Sequence, residues 1–127
     1  MRTVGRYTHD SGIEATIELS ITSDAARTAV ELLATHLAMH VVAMNPRYVS
    51  RARVPPEVIA RERAIAERMH ADANGANESF FGVICLLEQS FLLEPSITVE
   101  QHVTAVGAQH GVEIEIVGMS RIATRPT

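Results

Sequence analysis

Alternation of apolar and polar residues is clearest near the start of the chain. Ile13, Ala15, Ile17, Leu19 and Ile21 alternate with Glu14, Thr16, Glu18 and Ser20. A period of two sends the first set to one face of a strand and the second set to the other. Residues 3–9 are rich in β-compatible types, and Asp10-Ser11-Gly12 between the runs is turn chemistry. The pattern predicts an antiparallel hairpin. From residue 26 the period changes. Ala26, Val30, Leu33, Leu37, Val41 and Met44 recur every three or four residues, the spacing of a helix with one apolar face. Thr22-Ser23-Asp24 offers hydroxyls to cap its free N–H groups and a carboxylate for the positive end of its dipole. Asn45-Pro46 ends it, because the residue before proline disfavours the helical region.

Residues 48–54 read as a connector, and Pro55-Pro56 opens a second helix. Its run, residues 57–69, carries Arg61, Glu62, Arg63, Glu67 and Arg68 and keeps only a thin apolar stripe at Val58, Ile65 and Met69. Such a helix is mostly solvated. Ala73-Asn74-Gly75 is expected to break it. Residues 80–87 are apolar nearly all round and read as a buried helix after an Asn77 cap, with a strand as the alternative. Thr98 and Gln101 have capping-box spacing. They open a helix through Val99, Val103 and Val106 that stops at Gly111. Val112, Ile114 and Ile116 then alternate with Glu113 and Glu115 as a third strand, and Val117-Gly118 interrupts the alternation as a bulge would. Residues 124–127 are expected to fray. The order β-β-α-α-α-α-β gives an α+β fold, a small three-stranded antiparallel sheet burying its Ile13/Ile17/Ile21 face against helices.

Composition narrows this picture. At 127 residues the chain is expected to be one domain with a real core. There is no Trp, so the core must come from Ile, Leu, Val, Ala and Met. A net charge of −4 argues against bulk nucleic-acid binding, which needs a basic face. The single cysteine, Cys85, allows no intrachain disulfide and fits a reducing cytoplasm. The apolar run 80–87 is far too short to span a bilayer, and no secretory signal follows Arg2 and Arg6.

Candidate chemistry is sparse. His36 and His40 have the i, i+4 spacing that lets two imidazoles share an ion, but without the glutamate of a metalloprotease motif. His40 falls inside the apolar stripe and His36 at its rim, so packed histidines are the better reading. Cys85, in the most apolar stretch, reads as a buried inert thiol. No phosphate loop or nucleophile elbow is present. No metal and no cofactor are expected.

One pair of segments says more. Leu37-Ala38-Met39-His40 leads through Asn45-Pro46-Arg47-Tyr48-Val49-Ser50 to Val54-Pro55-Pro56-Glu57 and into Glu62-Arg63. This resembles the helix–connector–helix segment of the elongation factor Ts family. Leu86-Leu87-Glu88-Gln89 followed by Phe91 and a Thr-Val-Glu helix is similar to that family's LLEQPF segment. Gly5-Arg6-Tyr7-Thr8-His9 is similar to its opening strand. The resemblance covers nearly the whole chain. It implies a cytoplasmic factor of translation elongation that binds the GTPase elongation factor Tu and accelerates GDP release by differential binding. It is not an enzyme in the covalent sense, and short members form homodimers. Carried over residue by residue, His9 and Asp24 are the candidates for contact with the GTPase, with turn and cap roles as their structural alternatives.

Three departures bear on activity. No counterpart of the family's N-terminal helical domain is seen. The wedge motif Thr-Asp-Phe-Val falls at Thr22-Ser23-Asp24-Ala25-Ala26, with no aromatic after Asp24. The second arm of the family's projecting hairpin is missing between Met69 and Phe80. Residues 1–127 are therefore expected to be one core domain with a shortened helical hairpin, about 55–87. The alternative function is a divergent, non-exchanging homodimeric structural or regulatory module with the same fold.

Overall fold

A computed structural model describes residues 1–69 and 73–123, without the side chains of residues 73–78. It divides into two compact units, Met1–Asn45 with Ser90–Thr127, and Pro46–Gln89. Among the described residues the first unit holds strands β1 (Arg2–Thr8), β2 (Ile13–Ile21), β3 (Ser90–Phe91), β4 (Glu94–Thr98) and β5 (Ile114–Ala123), with helices α1 (Arg27–Met44) and α4 (Val99–His110). The second holds α2 (Pro56–Arg68) and α3 (Ala73–Ile84). The fold class is α+β, as the period changes along the chain predict.

In the first unit, β1, β2 and β5 form an antiparallel sheet in the order β1-β2-β5. Alternation does what it predicts: Ala15, Ile17, Leu19 and Ile21 are buried, while Glu14, Thr16, Glu18 and Ser20 stay partly open. Arg2 and Arg6 reach across the open face to Glu18 and Glu14 at 2.7 and 2.9 Å. Val117 is the extra residue of a bulge, since Glu18 pairs with Gly118 and Leu19 with Ile116. The strand continues to Ala123, well past where the alternation fades.

Helix α1 covers the other face through Val30, Leu33, Ala34, Leu37, Ala38 and Val41. A short 3₁₀ turn, residues Asp24–Ala26, precedes it, and the cap there is Ser23, whose Oγ accepts from the Ala25 N–H at 3.2 Å. Thr22 instead ties to the lead-in of β5, accepting from the Glu113 N–H at 3.0 Å. Asn45 ends α1 in the left-handed region, φ 48°, which Asn tolerates better than most residues. Met44, assigned to the apolar stripe, is 44 % exposed, because the last turn runs past the sheet's cover.

Helix α4 has the full capping box: the Thr98 hydroxyl accepts from Gln101 N–H, and the Gln101 side chain accepts from Thr98 N–H. Gly111 closes it at φ 67°. The β3–β4 hairpin has no counterpart in the predicted order. Its turn is Leu92-Leu93 and β4 contains Pro95. Leucines are not turn residues, and proline is tolerated only where a strand N–H has no ladder partner to meet.

In the second unit, Val54, Phe81, Ile84 and Cys85 form a core, with Tyr48, Val58, Ile59 and Phe80 packed on it. The connector is stapled to the end of α3. Arg47 and Tyr48 N–H groups donate to the Ile84 carbonyl, and Leu86 N–H donates to Tyr48. Arg51 makes two bonds to Glu88, at 2.7 and 2.6 Å, and lies over the Phe81 ring. Three expectations need correction here. Helix α3 begins at Ala73, so Asn74, Gly75 and Asn77 are helical rather than breakers or cap. Their poor propensity, under about 1 kcal/mol each, is outweighed by packing of Phe81 and Ile84 further on. The helix stops at Ile84, with Leu86–Glu88 a 3₁₀ turn. On α2 the buried residue is Ala66, whereas Ile65 is 39 % and Met69 74 % exposed; three scattered apolar residues do not fix which way a solvated helix faces. The expected fraying at 124–127 lies outside the described residues.

Candidate partner-binding site

His9 sits in the β1–β2 turn. Its N–H donates to Ile13 O at 2.8 Å, and its carbonyl accepts from Gly12 N–H at 2.9 Å. Its ring Nδ1 accepts from the Ser11 N–H at 3.1 Å and lies 2.9 Å from Ser11 Oγ. Nδ1 is thereby an acceptor, which leaves the Nε2 edge to donate outward. The turn role and a surface role coexist in one side chain.

A groove of about 310 Å³ opens beside this turn, lined by Tyr7, His9, Ile13, Met39, Leu92 and Arg121 among others. Each wall has a cause. Tyr7, in β1, and His9, just past its end, bring their rings within 6.5 Å of each other. Ile13, the first residue of β2, is half-buried there because α1 is ending. Arg121 pairs with Ala15 in the register, which turns it toward α1, where its Nε and Nη2 donate to Val42 O at 3.3 and 3.2 Å. A guanidinium at the C-terminal end of a helix also suits the dipole. Neither Arg121 nor Leu92 was legible as a wall, since β5 runs on past the point where alternation fades and the unpredicted hairpin places Leu92.

Asp24 lies elsewhere. It is exposed, and Arg27 Nε donates to its Oδ1. The cap role belongs to Ser23, not to Asp24. Asp24, Ala25, Ala29, Leu32 and His110 line a second, more open depression at the start of α1. His9 and Asp24 flank opposite ends of the nine-residue β2, a span of about 30 Å. The two candidates are therefore not brought together; they mark two separate surfaces.

The remaining candidates pack. His40 is fully buried, and its Nδ1 accepts from the Leu92 N–H at 3.1 Å. Among the described residues, no three His, Cys, Asp or Glu side chains converge as a metal site. Cys85 is fully buried. Burial, then the Glu88 carboxylate, push its thiol up to about 11, against a smaller opposing pull from Arg51. A thiol so rarely ionised is a poor nucleophile.

Fold and site together describe a small α+β module that presents surface grooves, with no helix among the described residues long and apolar enough to cross a membrane. The chain belongs to the elongation factor Ts family, whose model, described as Elongation factor TS, matches residues 1–125. Relatives named Elongation factor Ts include that of Desulfotalea psychrophila, 34 % identical over 94 % of this chain and 67 % of its own length. That of Fervidobacterium nodosum is 34 % identical over 87 % of this chain and 63 % of its own. That of Syntrophotalea carbinolica is 32 % identical over 89 % and 41 %. The chain thus spans about two-fifths to two-thirds of the length of these relatives.

Proposed function

We propose that this protein binds the GTPase elongation factor Tu in the cytoplasm and promotes GDP release during translation elongation. The observation that carries the reading is the family match over residues 1–125, which spans the described sheet, helices and grooves. The action is differential binding, with no covalent step: a partner held more tightly without its nucleotide must, by linkage, release that nucleotide more readily. Residues 1–127 act as one core domain with a shortened hairpin, about 55–87. His9, through its outward Nε2 edge, and Asp24 contact the GTPase at two places, and no metal or cofactor takes part. Release of a fluorescent GDP analogue from purified elongation factor Tu tests this. Acceleration at micromolar protein is expected; no acceleration together with no binding overturns it.

A second reading rests on a different observation. Met69 and Val83, on the hairpin unit, are 74 % and 67 % exposed, and apolar surface of this kind marks association sites when it is contiguous. On that reading the protein is a non-exchanging homodimeric module. Light scattering across concentration separates the two: a strict monomer removes the second.

A further inference from the structure

The β3–β4 hairpin meets α1 and α4 through a stack of aromatic rings. Phe91 is almost fully buried. His102 of α4 stacks on it at 4.2 Å between centroids, 17° from parallel. His40 of α1 faces the same ring at 5.9 Å and 24°. The neighbouring residue, Leu92, donates its N–H to His40 Nδ1 at 3.1 Å, and its side chain lines the groove beside His9.

We propose that the His40–Phe91–His102 stack, with His36 beside it, is an acid-sensitive latch that fixes the β3–β4 hairpin and the wall Leu92 gives the His9 groove. The latch works with neutral imidazoles. His40 must keep Nδ1 unprotonated to accept from Leu92. Burial holds His102 below the ordinary histidine value of 6.5, Glu94 pulls it up, and His36 pushes it down. Glu94 from β4 and His36 from α1 act on His102, and His40 from α1 completes the stack. Strand β5 meets α4 through Ile114, beside Gly107.

The sign follows from linkage. With a folded value below the unfolded one, the contribution of His102 is complete above pH 6.5. It is lost as pH falls below 6.5 toward the folded value, because the unfolded or unlatched chain takes the proton first. His36 also disfavours a proton on His102. Acid therefore frees the hairpin and opens the groove, whichever partner occupies it.

Proton NMR and amide exchange on the whole chain test the latch. The His102 ring is expected to titrate below 6.5, and His36→Gln to raise that midpoint. The protection factor of the Leu92 amide should fall about tenfold or more between about pH 7.5 and about pH 5 while the mid-α1 amides hold. His102→Phe, which keeps a stacked ring but removes the titrating group that α4 contributes, should reduce the fall, leaving only what the His40–Leu92 bond contributes. A midpoint at or above 6.5, or an equal fall in His102→Phe, overturns the proposal. If that variant does not fold, the wild type decides: loss of Leu92 protection must track the His102 midpoint, and failure to track it overturns the latch.

Discussion

Gly5 sets how closely β1 and α1 can approach. A Cβ placed there would lie 2.3 Å from the Ala34 carbonyl carbon, 2.5 Å from its oxygen and 2.6 Å from its Cβ. No flexible side chain stands in the way that could swing aside, so a larger residue must push the helix off the sheet. Gly82, inside α3, has nothing within 4 Å of its would-be Cβ. The same substitution should act with opposite sign at the two sites. Gly5→Ala is expected to cost about 3 kcal/mol or prevent folding, and Gly82→Ala to add about 0.5–1 kcal/mol through helix propensity. Urea denaturation of the two variants checks both. Cys85 supports a second prediction. Its thiol is buried and raised to about 11, so a thiol reagent at about pH 8 should label the native protein only as fast as it opens, and label it rapidly in urea. The unfolded thiol ionises near 9.0. Its stability contribution is therefore complete below that pH and lost as pH rises from 9.0 toward about 11.

Among the elements, β5 is the one whose placement depends on a single residue. Ile116 pairs with Leu19 and Met119 with Ile17 although they are three apart, because Val117 is looped out. Deleting Val117 leaves Ile116, Gly118 and Met119 in strict alternation on the same partners. That deletion should keep the fold at a cost of about 1–2 kcal/mol. Deleting Ser120 should cost more, since every later side chain changes face and Arg121 leaves the Val42 carbonyl. Chemical denaturation and a two-dimensional NMR spectrum compare the two deletions. The same contrast explains what could be read in advance. The β1–β2 hairpin, the Ser23 cap region and the Thr98 capping box were legible because their signals are local: alternation, turn residues, and a hydroxyl three residues before a glutamine. The start of α3 was not, because packing outweighs the Asn and Gly in its first turns. The β3–β4 hairpin was not, because its Leu92-Leu93 turn carries no turn chemistry. Of the groove, His9 and Tyr7 could be placed by strand period, but Arg121 could not, because alternation fades after Gly118 and gives no sign that β5 runs on to Ala123.

For the whole molecule, the proposed contact with elongation factor Tu can be probed at the surface where α1 starts. That surface is well suited to an experiment because little stability rests on it. Asp24 is exposed, and its pair with Arg27 is worth at most about 1 kcal/mol to folding. Ala25 is exposed while Ala26 is buried, so a side chain added at 25 projects into solvent without entering the core. If this depression meets elongation factor Tu, Ala25→Phe supplies the large apolar group that is missing after Asp24. Burying a phenylalanine at an interface is worth about 1.5–3 kcal/mol, which is about tenfold to a hundredfold in affinity. The variant should bind elongation factor Tu more tightly by that factor and release GDP faster, at unchanged denaturation midpoint. Ala26→Phe should instead disrupt the fold, since residue 26 packs inward. Titration calorimetry with nucleotide-free elongation factor Tu reads the affinity. An Ala25→Phe protein that folds normally yet binds no better would remove the Asp24 segment from the interface. Contact would then have to come from the His9 groove, about 30 Å away at the other end of β2.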